Sequence, residues 1–276
     1  MVEIYGSWFD DFSNDKNTLE MIRKSGYDGL EVTDHLTMKK LQEEGIKVSL
    51  HNPLRDRDLS LTTNGFFKAL REDPRYVDSC KRSDAKTVGF HLTRSGTKVN
   101  DLDSAIDSAK TNLHALKVAT NKDILFEPMP IRKNQTREGY ENNILLTEDK
   151  NLEYLALNSG ILWDMSHMFI TFSNITDSPM RKMEDSANIL GPYVGQIHLS
   201  VPEILKDQYE DKHLPYRSND ITSKMIYDQL GILLERSPNL KTLTFEIRRG
   251  EDEKMHAKDL LNQYEIFDKQ GLTRFI

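Results

Sequence analysis

Cysteine is almost missing from this sequence: Cys80 is the only one in 276 residues. One thiol excludes an intramolecular disulfide and any zinc site built on several thiolates, so a reducing cytoplasm is the expected setting. Long apolar runs are lacking too, and no stretch approaches the roughly 20 residues that cross a bilayer. The opening MVEIYGSWFDDFSND is acidic and has neither the basic region nor the apolar stretch of a signal peptide. No membrane association is expected, and the glycosylation-type triplets at 134–136 and 174–176 read as chance matches. Positive charge is not in excess: 37 Lys and Arg face 44 Asp and Glu, a formal charge of -7. That argues against nucleic-acid binding driven by overall charge and leaves room only for a local basic groove. Also missing are a Gly-rich phosphate loop, a G-x-S-x-G elbow, a paired C-x-x-C, a flexible linker and a repeat array. Nothing calls for an obligate protein partner.

What the sequence does contain is a regular alternation. Apolar runs of strand length occur at VEIYG (2–6), GLEVTD (29–34), IKVSLH (46–51), KTVGFH (86–91), DILFEP (123–128), GILWD (160–164), YVGQIHL (193–199) and LKTLTFEI (240–247). Amphipathic segments with apolar residues three and four apart lie between them, such as 17–26 closed by Gly26, 101–120 and 223–236. Strand then helix, repeated, implies parallel strands joined by right-handed crossovers. Eight repeats favour a closed (β/α)8 TIM barrel of the α/β class over an open doubly wound sheet, with residues 1–276 as a single domain.

Such a barrel carries its chemistry at the C-terminal ends of its strands. From the third strand to the eighth those ends are His51, His91, Glu127, Asp164, His198 and Glu246. Two loops add more: one carries His167, three residues after Asp164, and the other, EDKHLP just after the seventh strand, supplies Asp211 and His213. Imidazole and carboxylate without thiolate suit Zn, Mn or Fe, and nine such side chains exceed what one ion uses. Two or three divalent ions are expected if all nine converge. A lone histidine or one Asp-x-x-His would be ordinary structural chemistry; six consecutive strand ends of ligand type are not. His114 and His256 read as surface or packing residues, Cys80 as a buried or half-buried side chain, and His35 as a residue just past the second strand that could face the site. Glu31 either reaches the barrel mouth as an acid, base or substrate contact, or forms a structural ion pair. Arg55 and Arg57, shortly after His51, border the site or are solvated, as do Arg132, Lys133, Arg248 and Arg249 beyond later strand ends.

In their order, His51, His91, Glu127, Asp164-x-x-His167, His198, Asp211-x-His213 and Glu246 resemble the endonuclease IV branch (AP endonuclease family 2) of the xylose isomerase-like TIM barrels. The resemblance spans nearly the whole chain and implies a trinuclear centre. His51, His91 and Glu127 would hold one ion, Glu127 would bridge to a second held by Asp164, His198 and Glu246, and His167, Asp211 and His213 would hold the third. It further implies a metal-dependent phosphodiester hydrolase acting on DNA at abasic sites, with Glu127 and Glu246 at the catalytic centre and a metal-bridging water, made acidic by clustered cations, as nucleophile. Arg55, Arg132 and Arg248 would then contact phosphate and Glu31 the substrate. The chain departs from the family between the ligands: HNPLRDRD follows His51, HLT replaces HPG at 91–93, Pro128 follows Glu127 in place of Asn, HLSV replaces HLND at 198–201, and glycines are missing after His213. These changes fall in the loops that would shape a DNA cleft.

Two alternatives share the scaffold. A sugar or sugar-phosphate isomerase or epimerase would need only Glu127, Asp164, His198 and Glu246 around one divalent ion, with Glu127 and Glu246 as acid and base beside a carbonyl. It would leave the other five ligand-type residues without a common purpose. A multinuclear iron oxidase on a similar barrel is the lesser alternative, because that family carries Asn where this chain has His167.

Overall fold

The computed structural model describes residues 1–8, 16–53, 59–63, 65–94, 97–136, 139–205, 208–247 and 253–276. Its strands are β1 (Glu3–Ser7), β2 (Gly29–Val32), β3 (Lys47–His51), β4 (Thr87–His91), β5 (Asp123–Glu127), β6 (Gly160–Asp164), β7 (Val194–Leu199), β8 (Val201–Leu205), β9 (Gln208–Leu214) and β10 (Thr242–Phe245). Its helices are α1 (Lys16–Lys24), α2 (His35–Glu43), α3 (Phe66–Glu72), α4 (Arg75–Arg82), α5 (Leu102–Thr120), α6 (Glu141–Leu146), α7 (Asp149–Ala156), α8 (Met165–Ile175), α9 (Pro179–Leu190), α10 (Ile221–Arg236) and α11 (Glu253–Lys269).

Eight parallel strands close in the order β1-β10-β7-β6-β5-β4-β3-β2, and the helices surround them, so the expected (β/α)8 barrel forms. Each strand segment expected from the sequence overlaps one barrel strand, offset by a residue or two at its ends. Helix boundaries have local causes. Asp34, Asp101, Asp164 and Asp220 each cap the helix that follows by accepting from a first-turn backbone N–H. Past the end of α1, Gly26 has φ +84, and a Cβ there would lie 2.7 Å from the Tyr264 ring, so only glycine suits both demands.

Side chains alternate across each strand. The outward set, including Leu30, Val32, Val48, Leu50, Val88, Phe90, Ile124, Phe126, Ile161, Trp163, Ile197, Leu243 and Phe245, packs in one apolar cluster with helix residues such as Leu41, Leu113, Phe169 and Leu230. Each fully buried side chain of this kind contributes roughly 1.5–3 kcal/mol, so the barrel is held from outside. Its interior is chemically different. Where TIM barrels usually stack branched apolar residues, this one buries Ser49, Thr87, Gln196, Thr242, Thr244 and Glu31.

One element departs from the expectation. The EDKHLP segment, read as a loop, falls largely within β9, which pairs antiparallel with β8 after β7. The hairpin packs against α8, with Tyr209 edge-on to Phe169 at 4.8 Å between ring centroids. Asp211 and His213 are therefore strand residues rather than loop residues, and His167, also expected on a loop, lies in the first turn of α8. Among the described residues no helix is long and apolar enough to cross a membrane.

Candidate metal centre

Strand register assembles the first contacts. β4 and β5 pair His91 beside Glu127, and β6 and β7 pair Asp164 beside His198. His51 ends β3 opposite Gly89, and a Cβ on Gly89 would fall 2.9 Å from His51 Nδ1 and 2.3 Å from Leu162 Cδ1, so glycine makes room for the imidazole. Glu246 follows β10 directly. The β8–β9 hairpin then folds Asp211 and His213 over α8, whose first turn carries His167.

The nine side chains converge at the C-terminal mouth. His51 Nε2 lies 3.2 Å from His91 Nε2, and the two nitrogens lie 3.2 and 3.3 Å from Glu127 Oε2. The other oxygen of the same carboxylate, Oε1, lies 3.0 Å from His167 Nδ1. His198 Nδ1 is 2.8 Å from Glu246 Oε2 and 4.0 Å from Asp164 Oδ2. His167 Nε2 is 2.9 Å from Asp211 Oδ2, which is 3.4 Å from His213 Nε2. Ligand-type atoms thus gather within 4.8 Å of one another in the sets His51, His91 and Glu127; Glu127, Asp164, His198 and Glu246; and His167, Asp211 and His213. A further set, Glu31, His51 and His198, overlaps the first two from below.

Asp164 ends a wholly buried strand. Its Oδ1 accepts from the His167 backbone N–H at 2.6 Å, capping α8, while Oδ2 has no hydrogen-bond partner. Glu127 Oε2 and His167 Nδ1 are likewise buried without an aligned hydrogen bond, despite neighbours at 3.0–3.3 Å. Unsatisfied donors and acceptors of this kind are costly to bury. Nitrogen and carboxylate atoms crowded together, three of them without an aligned hydrogen bond, fit divalent cations of the zinc, manganese or iron type.

Charge follows the same geometry. Burial opposes ionisation of Glu127, but the His51 and His167 rings outweigh it and hold the carboxyl well below its usual range. Burial likewise works against Glu246, and His213 and His198 overcome it to hold that carboxyl low. Asp164 goes the other way: burial, together with the Glu246, Glu127 and Asp211 charges, holds it well above its usual range despite His167. Burial favours neutral His167, yet Asp164, Asp211 and Glu127 hold its proton well above the usual imidazole range, and Glu31 and Glu246 do the same for His198. His91 is pushed down to about 3, chiefly by burial. One candidate ligand and one neighbour of a candidate ligand sit at unusual backbone: His213 has φ +49, and Asn52, directly after His51, has φ +39. Left-handed backbone at a non-glycine residue is uncommon and clusters at functional sites. The Asn52 side-chain amide meets His91 Nδ1 at 3.0 Å.

The remaining sequence candidates fall elsewhere. Glu31 is not at the rim; it is fully buried beneath His198. Arg132 is exposed just past β5, while Arg55, Arg57, Arg248 and Arg249 lie outside the described residues. His35 turns away from the mouth to Ser79 Oγ at 2.9 Å, His114 is exposed, and buried His256 packs on Trp8 with Nε2 2.7 Å from the Ser7 carbonyl. Sequence reasoning missed Asn52 and Gln196. Their signals were adjacency to His51 and the two-residue spacing that puts Gln196 on the His198 face of β7.

No protein-family model and no curated protein matches this chain. Solved structures do. A xylose isomerase domain protein from Alicyclobacillus acidocaldarius aligns over 98% of this chain and 98% of its own, with TM-score 0.64 and 12% identity. The apo 3-keto-D-glucoside 4-epimerase of E. coli aligns over 96% of this chain and 100% of its own, with TM-score 0.56 and 15% identity. A xylose isomerase-like TIM barrel protein from Mycobacterium smegmatis, crystallised in complex with magnesium, aligns over 90% and 87%, with TM-score 0.55 and 12% identity. At these identities the likeness is one of fold: the chain shares the TIM barrel of these proteins.

Proposed function

We propose that this chain, acting as one barrel domain over residues 1–276, is a trinuclear metal-dependent phosphodiester hydrolase of the endonuclease IV type, with DNA at abasic sites as its substrate. The observation that carries the reading is the division of nine nitrogen and carboxylate side chains into three adjoining sets, with Glu127 common to two of them. One ion needs about four ligands, so a single-ion enzyme has no use for His51, His91, His167, Asp211 and His213 together. His51, His91 and Glu127 would hold the first ion, Glu127, Asp164, His198 and Glu246 the second, and His167, Asp211 and His213 the third. Bound there, divalent cations supply neutralisation of a phosphodiester's charge and acidification of water, the chemistry that ester hydrolysis needs.

The chain's own contribution is to bind, orient and exclude water. Glu127 belongs to two of the sets, so it ties them together. Asp164, His198 and Glu246 form a dry floor, whereas the side chains of His91 and His213 are 21% and 22% exposed, which leaves that side open to an incoming phosphodiester. Exposed Arg132 is the phosphate contact we assign among the described residues. Arg55 and Arg248 retain that role as proposals from sequence.

A sugar epimerase is the second reading, favoured by the fold shared with the E. coli epimerase and by the sufficiency of Glu127, Asp164, His198 and Glu246 for one ion. Protein purified without chelators separates the two. Two or three equivalents of zinc or manganese, with EDTA-sensitive cleavage of an oligonucleotide at a single abasic site, are expected. One equivalent, no cleavage, and exchange of a sugar's carbon-bound proton with solvent would replace the hydrolase by the epimerase. Iron at the higher stoichiometry without cleavage would point to an oxidase.

A further inference from the structure

Beneath the mouth lies a charge that the nine ligands do not account for. Glu31, on β2, is fully buried inside the barrel, where an unpaired carboxylate costs several kcal/mol. Its Oε2 accepts from the Gln196 amide at 2.6 Å, the Ser49 hydroxyl at 3.2 Å and the Thr244 hydroxyl at 3.4 Å. Gln196 is itself held, with Oε1 accepting from Thr87 Oγ1 at 3.2 Å, and Thr87 meets Thr242 at 3.0 Å. Four strands therefore spend their inward positions fixing one carboxylate. Its Oε1 has no aligned hydrogen-bond donor and lies 2.8 Å from His198 Nε2.

His198 has a carboxylate at each ring nitrogen, Glu246 at Nδ1 and Glu31 at Nε2, as His167 has Glu127 and Asp211, but Glu31 is not one of the nine. An imidazole offers a metal one nitrogen and must carry its proton on the other. Nδ1 faces Glu246 and Asp164, so Nε2 is the nitrogen that must be protonated when His198 ligates. A carboxylate at that position fixes the tautomer, stops ring rotation and makes the ligating nitrogen more basic. Gln196 Nε2 also lies 3.1 Å from His198 Nε2, but it already donates to Glu31 and cannot accept a proton.

We infer that Glu31 is the positioning carboxylate of the His198 metal site: it holds His198 from beneath, and the Ser49, Gln196 and Thr244 layer serves to hold Glu31. Glu31 touches neither substrate nor reacting atoms. The inference rests on the metal reading above, though not on the reaction assigned to it.

The test is titration of the metal-free protein with Co²⁺ in competition with a chelator, followed by visible absorption, for wild type, Glu31→Gln, Glu31→Asp and Ser49→Ala. Glu31→Gln keeps the volume and removes the charge, and is expected to weaken Co²⁺ at one site about 10–100-fold and to alter that site's spectrum. Glu31→Asp should recover part of the loss. Ser49→Ala removes one of the three donors to Glu31, so it should weaken Co²⁺ at the same site by less than Glu31→Gln does. Wild-type affinity in Glu31→Gln, or a loss in Ser49→Ala larger than that in Glu31→Gln, overturns the positioning role. Failure of wild type to take up Co²⁺ would remove the metal reading and this inference with it. Metal uptake without cleavage of abasic DNA would sink only the proposed reaction and leave the Glu31 result standing.

Discussion

Glu127 is the residue on which the centre turns. Its two oxygens face His51 and His91 on one side and His167 on the other, and both ligand sets that use it lose a member if it goes. Glu127→Ala is therefore expected to remove two equivalents of metal where loss of an ordinary ligand removes one, and to lower the phosphodiesterase activity proposed above by several orders of magnitude. Inductively coupled plasma analysis beside wild type checks the stoichiometry, and loss of one equivalent or none would strip Glu127 of its bridging role. The ligand types at the strand ends were readable because a barrel strand's last inward residue is a position that topology alone identifies. Glu31 was not readable to the same degree. A glutamate in the middle of a strand looks the same whether it rises to the mouth or is buried beneath it, and only the register beside Ser49 and the reach to His198 decide.

At the scale of elements, the parallel strands and crossover helices were legible because one face of each packs in the apolar cluster, so the pattern of apolar residues carries the geometry. The β8–β9 hairpin was not. Every residue of β9 is half-buried, so QYEDKHL shows no two-residue alternation, and its polar side chains look like a loop. What holds the hairpin is local: antiparallel pairing with β8 and the Tyr209 edge on Phe169. Because it delivers Asp211 and His213 and no other member of the three sets, it can be disarmed alone. Asp211→Ala with His213→Ala should cost one equivalent of metal and leave the two sites that share Glu127 at wild-type affinity. Loss of all metal in the double variant would mean that the three sets do not load independently.

Across the whole molecule, the apolar face of the sheet is turned outward and the charges inward, and this inversion makes stability depend on what the mouth holds. Any ligand that binds only the folded chain stabilises it, by about 2.7 kcal/mol at 100 times its Kd, which corresponds to a thermal midpoint shift on the order of 5 °C for a chain of this size. The pH dependence has a definite sign. An unfolded histidine loses its proton near pH 6.5. Burial disfavours charged His167 and His198, but the surrounding carboxylates hold both well above that value. A raised folded-state value contributes stability that is complete below pH 6.5 and is lost as pH climbs through the raised value. His91, pushed down to about 3, is neutral in both states above about pH 7.5 and adds no slope there. Asp164, also held high, acts in the same direction as the two histidines. Between about pH 7.5 and 8.5 the midpoint of EDTA-treated protein is therefore expected to fall as pH rises. Metal must expel those same protons to reach the nitrogens, so its affinity rises over the same range. Scanning calorimetry with EDTA and with Zn²⁺ should give two midpoint curves that separate as pH increases; curves that stay parallel would show that the protons on His167 and His198 are not the ones metal displaces.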